Sequence, residues 1–552
     1  MAKKISLVIV ILALLTSGVW YYLKTRKSTD FEPLLKSKLQ EIVKNGSNGL
    51  YSLEVDHVEV DILKSTVDLK NPSLKVDSTR LKFLIESKAA PVDVYNVSLA
   101  QLHIDGVNIG DLLNKRRIDL ELINLVQPQL AIYHGIGEKD TLISDTSTFY
   151  ERIATALGHF SVKNINISGM DLSYHNLKKQ GKVSDYKNVS MFFRNVLIDS
   201  TTQYDSSRFL YAKDAAIYYN DFNIRTADSL YIFKIDSIEL LAAKKQLNLT
   251  GLSFNPRGNK SDFSKKHKYY KDRYDMKIAS ATLSDIDWYP LLSQEKFLAG
   301  EITLSNGQID IYADRNKPLP EKSKVGNYPH QLLMKMDFPV QVPVINLKNF
   351  KVDYEEVNPK NQRTGKLIFD RINGKMTNVT NIAENVRINN WVKLTADCAL
   401  MDAGNLSATF SFDLANAKTG NFMVDGLLGP MDGTRLNPIT KPMGMFEIES
   451  LKVNQIKFHI NGTNSHGSGR VLFTYNDLKI TALKEEEDKL KKKGFLTFLA
   501  NTFIIQTDNP PKNGKASSQP GSAERDIHRS FFNLIWKTLL DGLKKNITGF
   551  EL

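Results

Sequence analysis

Ser465–Arg470 reads SHGSGR and sets His466 two positions before Ser468. A hydroxyl within reach of an imidazole is the minimum for a nucleophile and its base. Here the stretch lies between two runs of alternating apolar residues, so it reads as a Gly-rich hairpin turn. Asp285 with Asp287, and Asp310 with Asp314, are close enough in sequence for paired carboxylate chemistry. Ile286 and Ile311 interleave with them, which puts these acids on the wet face of strands. His57, His103 and His459 also fall inside strand patterns, where a surface or hydrogen-bonded role is expected. The chain has no H-E-x-x-H, G-x-G-x-x-G, G-x-S-x-G or phosphate-loop motif. Cys398 is the single cysteine, so neither an intramolecular disulfide nor a cysteine-based metal site can form. The expectation is a protein that is not an enzyme, with no catalytic residues, metal or cofactor.

Function must then rest on what the backbone elements present. The 552-residue chain is 42% hydrophobic and 24% charged, which excludes a disordered chain and one wholly embedded in a bilayer. The net charge of +12 is spread thinly. Its densest basic run, SKKHKYYKDR from Ser264 to Arg273, reads as a solvated loop, and no ordered aromatic–basic module points to nucleic acid. Ile5–Leu23 is an uncharged run of nineteen residues, enough to span a hydrocarbon core as a helix, with Trp20, Tyr21 and Tyr22 at its interfacial end. A cleaved signal peptide is the alternative, since Lys3 and Lys4 precede the apolar core. The unbroken run and the lack of an A-x-A pattern favour a transmembrane anchor that exports the rest. A single cysteine in an exported chain of this size suits a bacterial envelope.

LYSLEVDHVEV from Leu50 and LYIFKIDSIEL from Leu230 share Leu, Tyr, Asp and Glu at the same places, 180 residues apart. Ile104–Tyr133 pairs likewise with Leu283–Tyr312 at an offset of 179, and Phe160–Tyr174 with Val340–Tyr354 at 180. Three blocks in one order at near-constant spacing predict a tandem duplication of a unit of about 180 residues. A partial third copy is expected from Phe446, followed by GRVLFTYNDLKI from Gly469, which echoes GKLIFDRINGKM from Gly365.

Each copy is written with period two. Val58 and Val60 alternate with Glu59 and Asp61, Ile118 and Leu120 with Asp119 and Glu121, and Ile345 and Leu347 with polar neighbours. Turn residues at Lys70–Pro72, Asp105–Gly106, Ser305–Gly307 and Asn461–Gly462 punctuate the runs. Short helices are expected over Asp30–Asn45 and Thr148–Leu157, and at GDLLNKR and YPLLSQEK. The expected fold is mainly β: an elongated, repeating β-groove made of a curled antiparallel sheet. The expected segments are 1–28 anchor, 29–48 helical entry, 49–228 first repeat, 229–435 second repeat, 436–508 partial third repeat, 509–525 disordered linker and 526–552 amphipathic helix.

The anchor, LYSLEVDHVEVDILKSTVDLKNPSLKV from Leu50, IDLELINLVQPQLAIY from Ile118, GSGRVLFTYNDLKI from Gly467 and RSFFNLIWKTLLDGLKKNI from Arg529 together resemble the AsmA-like proteins of diderm bacteria. The resemblance covers most of the chain and lies in pattern and order. It implies a lipid transfer protein of the bridge-like, repeating β-groove kind, anchored in the inner membrane with its bulk in the periplasm. Such a protein holds acyl chains in an apolar trough and serves phospholipid traffic to the outer membrane. The partners implied are phospholipid, the inner membrane, and the outer membrane or an envelope protein. This chain is shorter than the largest members, so a short segment, a shuttle or an accessory to a longer partner all fit. On this chain the lipid-facing positions would be Ile118, Leu120, Leu125, Leu130 and Ile132 in the first repeat. In the second repeat they would be Ile302, Leu304, Ile309, Ile311, Ile345, Leu347 and Val352. The alternative is an envelope scaffold or assembly factor that binds protein clients by strand addition.

From Asp526 to Ile547, apolar residues recur at helical spacing. Laid on a lipid surface, this helix would present Phe531, Ile535, Trp536, Leu539 and Lys544 to it. The other reading is that the stripe packs over the end of the sheet.

Overall fold

The computed structural model describes residues 31–61, 63–106, 117–137, 158–178, 182–486, 489–492, 505–511 and 514–548. The expected anchor, the helix expected over Thr148–Leu157 and the turn at GDLLNKR lie outside them. Strands hold 55% of the chain and helices 16%, so the fold is mainly β. Among the described residues no helix is long and apolar enough to cross a membrane.

The chain divides into two compact units. The first runs to Phe222 and adds Ser237–Asn248 and Asp287–Gln294; the second comprises Asn223–Asp236, Leu249–Ile286 and Glu295 onward. In the first, the helix Phe31–Gly46 packs its buried Leu39 and Val43 on the strands Tyr51–Glu54 and His57–Asp61. Strands Asp93–Ser98 and Gln101–Asp105 pair antiparallel with Gln129–His134 and Arg117–Val126 respectively. Those two in turn lie parallel to His159–Asn176, which forms an antiparallel hairpin with Lys182–Ile198.

In the second unit Arg273–Ser284 pairs antiparallel with Glu301–Asp314. Glu301–Asp314 lies parallel to Val340–Val357, and that strand pairs antiparallel with Thr364–Thr380. The ladder continues antiparallel through Trp391–Leu400, Gly404–Asp413, Phe422–Leu428, Phe446–Gly462 and His466–Glu486. The expected wholly antiparallel sheet is thus corrected: each unit contains a parallel joint. A parallel joint needs a long return connection, and residues 315–339 supply it in the second unit.

The registers of the two units correspond. Shifted by the offsets of 179 and 180, the partners Leu102, Leu125 and Ile167 become Ala281, Leu304 and Leu347. Those three are partners in the second unit. Tyr95, Ile132 and Tyr174 become Tyr274, Ile311 and Tyr354 in the same way. Bulges fall at matching places, with Val189 opposite Met170 and Ile372 opposite Phe350. Left-handed backbone recurs too, at Gln127 and Asn306 (φ 49° and 55°) and at Gly169 and Asn349 (φ 66° and 55°).

Those left-handed residues have a job. Leu125 and Leu130 are five apart, an odd spacing that would send them to opposite faces of a regular strand. The irregular step at Gln127 restores the face, and both are buried. Pro128, lacking an N–H, also breaks the first unit's ladder there. Gly307, its counterpart, leaves Glu301–Asp314 continuous. In the hairpin of Phe446–Gly462 with His466–Glu486, Phe473 faces Ile456 and not Phe458, two residues away from the register that the pairing of Val352 with Phe369 would give.

Candidate functional site

Registered partners in a sheet share a face, so the pairings can be read across the second unit as rows. One row runs Leu283, Ile302, Ile345, Met376, Leu394, Phe410, Val424, Ile460. The next runs Ala281, Leu304, Leu347, Gly374, Ala396, Ala408, Gly426, Phe458. A third, beyond the Asn306 step, runs Met276, Ile309, Val352, Phe369, Leu400. Every residue of these rows is apolar or glycine. In the second row Gly374, Ala396 and Ala408 lie side by side, leaving a shallow strip between the taller neighbouring rows.

The rows change character along their length. Val424 and Ile460 are buried in a cluster with Tyr328, Phe412 and Phe422, sealed by Leu534 and Ile535 of the terminal helix Phe531–Thr548. Ile302, Leu304, Ile345, Leu347, Ile309, Ile311 and Val352 are only half-buried. Among the described residues the apolar rows are thus sealed at one end and only partly covered over the rest of their length.

The corresponding expected positions in the first unit are more deeply buried. Ile118, Leu120, Leu125, Leu130 and Ile132 are 2%, 4%, 2%, 7% and 3% exposed, so they form core and are not open to a ligand in this structure. These are positions expected to face lipid, and here their side chains are buried. Their partners Phe160, Val162 and Ile167 are buried with them.

Phe531, Ile535 and Leu539, expected at a membrane surface, pack on the sheet, with the Phe531 ring 5.9 Å from those of Phe412 and Phe422. The apolar stripe meets the sheet because three glycines allow close approach. A Cβ on Gly467 would come within 2.5 Å of Thr538 Oγ1, one on Gly521 within 2.3 Å of the Thr538 carbonyl oxygen, and one on Gly542 within 2.4 Å of Val471 Cγ2. Trp536 and Lys544 are exposed on the far side.

This seat also explains SHGSGR. The strand begins at His466 rather than after it, so Gly467 and Ser468 belong to the ladder and the turn precedes them. His466 Nδ1 lies 3.4 Å from Glu524, in a strand (Gln519–Glu524) that occupies the expected disordered linker. Asp287 precedes the short helix Trp288–Ser293, and Asp310 receives a hydrogen bond from Gln308 at 3.2 Å. His103 lies 3.0 Å from Asp68, and His459 2.7 Å from Asp425, each across a strand pair. None of these groups joins a second reactive group in a cleft. Among the described residues no cluster of His, Cys, Asp or Glu is arranged to hold a metal ion.

Two buried features have no clear sequence signal. His330, 2% exposed, stacks on Phe412 at 5.3 Å with neither ring nitrogen partnered, and burial pulls its pKa down to about 4 against the opposing charge of Asp413. A basic group also surrounds Tyr270, made of Arg315, Lys324 and Arg529. Comparison with known proteins returns no matching family model and no matching curated protein.

Proposed function

We propose that this chain binds lipid acyl chains on the open apolar face of its second unit and takes part in phospholipid transport between the two membranes of a diderm envelope. In this reading it is anchored in the inner membrane, lies mainly in the periplasm and acts without catalysis, as its resemblance to the AsmA-like proteins implies. The observation that carries it is the set of unbroken apolar rows, half-buried from Leu283 to Phe410, with no polar residue registered among them. Covering such a face gains roughly 25 cal/mol per Å², and an acyl chain needs no particular side chain at any one step. The shared registers support the further reading that the two units descend from one duplicated segment.

The test is native mass spectrometry with lipid extraction on the full chain purified under mild conditions. Phospholipid at defined stoichiometry, lost in Leu347→Glu while the β-sheet circular dichroism persists, is the expected result. A folded, lipid-free protein, or normal lipid in the variant, would favour a scaffold that binds protein clients.

A further inference from the structure

Above the third apolar row, the strand Val340–Val357 leads from Val352 to Tyr354 and Glu356 on the same face. There the lining turns polar. The buried Tyr270 ring is flanked by three cations: the guanidinium carbons of Arg315 and Arg529 each lie 4.7 Å from its centroid, and Lys324 Nζ lies at 6.0 Å. A fourth, Arg525, is 8% exposed, sits 4.2 Å over the Tyr328 ring, and donates through Nη2 to the Lys324 carbonyl at 3.2 Å.

Three carboxylates face this group. Glu356 holds Arg315 Nη2 at 2.8 Å, Asp272 lies 3.9 Å from Lys324, and Asp526 lies 3.7 Å from Arg529 Nε. Asp272 also accepts from the Tyr270 hydroxyl, and Glu356 from that of Tyr354. Each carboxylate meets one edge of its cation. Arg315 Nη1, Arg529 Nη1 and both Nε and Nη1 of Arg525 remain buried without a hydrogen-bond partner. Buried donors on a charged group are costly to leave unpaired. Guanidinium forks suit tetrahedral oxyanions, which they meet in a bidentate way.

We propose that Arg315, Lys324, Arg525 and Arg529 form a subsite for a phosphate group at the end of the apolar face. The shared chemistry is a phosphate oxyanion, whether free or carried by a lipid whose tails lie on the adjoining rows. The lipid form of this assignment rests on the reading of the apolar face; the anion subsite itself does not.

The experiment follows the thermal midpoint of the full chain in chloride at fixed ionic strength, with three additives: inorganic phosphate, dihexanoyl phosphatidic acid and dihexanoyl glycerol. Arg525→Gln, Arg529→Gln and the charge-matched control Arg371→Gln, whose exposed side chain pairs with Asp402, are compared with the parent. Phosphate and phosphatidic acid should both raise the parent's midpoint. The concentration needed should rise about tenfold or more in the two subsite variants and stay unchanged in Arg371→Gln. Phosphatidic acid acting at lower concentration than phosphate assigns the lipid source; equal potency assigns free phosphate. No response of the parent to either phosphate-bearing additive overturns the proposal, even if a subsite variant fails to fold. Equal responses in parent and subsite variants overturn it as well. A response to phosphate without one to dihexanoyl glycerol keeps the subsite and removes the apolar reading, and the converse removes the subsite alone.

Discussion

The hydroxyl of Tyr51 accepts a hydrogen bond from the backbone N–H of Tyr95 at 3.3 Å, and Tyr231 accepts one from Tyr274 at the same distance. Tyr51 and Tyr231 are 180 residues apart, and Tyr95 and Tyr274 are 179 apart. A side chain that caps a strand's N–H is a specific contact, and here it occurs at both members of each equivalent pair. Burial pushes the Tyr51 phenol up to about 12 and raises that of Tyr231, so both stay protonated at working pH.

The Tyr231 hydroxyl also donates to the Asp272 carbonyl at 3.3 Å, so Tyr231→Phe removes two bonds and should cost about 1–2 kcal/mol. The ring keeps its stacking on Phe254, at 4.2 Å. Amide exchange is the measurement: the Tyr274 N–H should lose protection while the Tyr95 N–H keeps it, and Tyr51→Phe should reverse the pattern.

Leu125 and Leu304 occupy equivalent places but have different surroundings, one 2% exposed and the other half-buried. Leu125→Glu should destabilise the first unit by about 4 kcal/mol or more, because it buries an unpaired charge. Leu304→Glu should cost about 1 kcal/mol, its carboxylate having water to reach. Thermal midpoints of the two variants check the contrast.

The equivalence of Leu125 and Leu304 was legible in the sequence; their difference in burial was not. Period two and the offsets near 180 specify strands, faces and, as the pairings show, register. They do not say which strand lies beside which, so the parallel joints could not be read. Nor does alternation say what covers a face, since Leu125 and Leu304 are written alike. Arg525 follows a Pro- and Ser-rich run that reads as a linker, yet Gln519–Glu524 pairs with His466–Val471 and carries Arg525 into the interior. The Tyr270 group draws on residues more than 200 positions apart, Lys324 and Arg529, a separation no local pattern encodes.

His330 gives a pH dependence with a definite sign. Its pKa is about 4 in the folded protein against 6.5 in the unfolded chain. Below pH 6.5 the unfolded state takes up a proton that the folded state refuses, so stability is full above 6.5 and is lost as pH falls toward 4. The loss should reach about 3 kcal/mol. His330→Phe should flatten that part of the profile in denaturant titrations at pH 7 and pH 4.5, and an unchanged slope would place the acid sensitivity elsewhere.

Gly521→Ala should lift the terminal helix. The new methyl would lie 2.3 Å from the Thr538 carbonyl oxygen, a backbone atom that cannot rotate away. Overpacking of this kind costs about 1–3 kcal/mol. Limited proteolysis should cut within Phe531–Thr548 sooner in the variant, while strands of the first unit stay resistant.

The parallel joints have a consequence for the order of assembly. The hairpin of Val340–Val357 with Thr364–Thr380 forms between neighbours in the chain, but the joint of Ile302 to Ile345 must close a connection of more than forty residues. Closing it loses chain entropy before any contact repays that loss, which makes such pairings slow. Until it closes, Glu301–Asp314 and Val340–Val357 each hold an unpaired edge beside an apolar face, the combination most open to wrong partners. A nascent chain passes through that exposed interval twice, once per unit. In that interval, rather than in the finished sheet, wrong pairings compete with the right one.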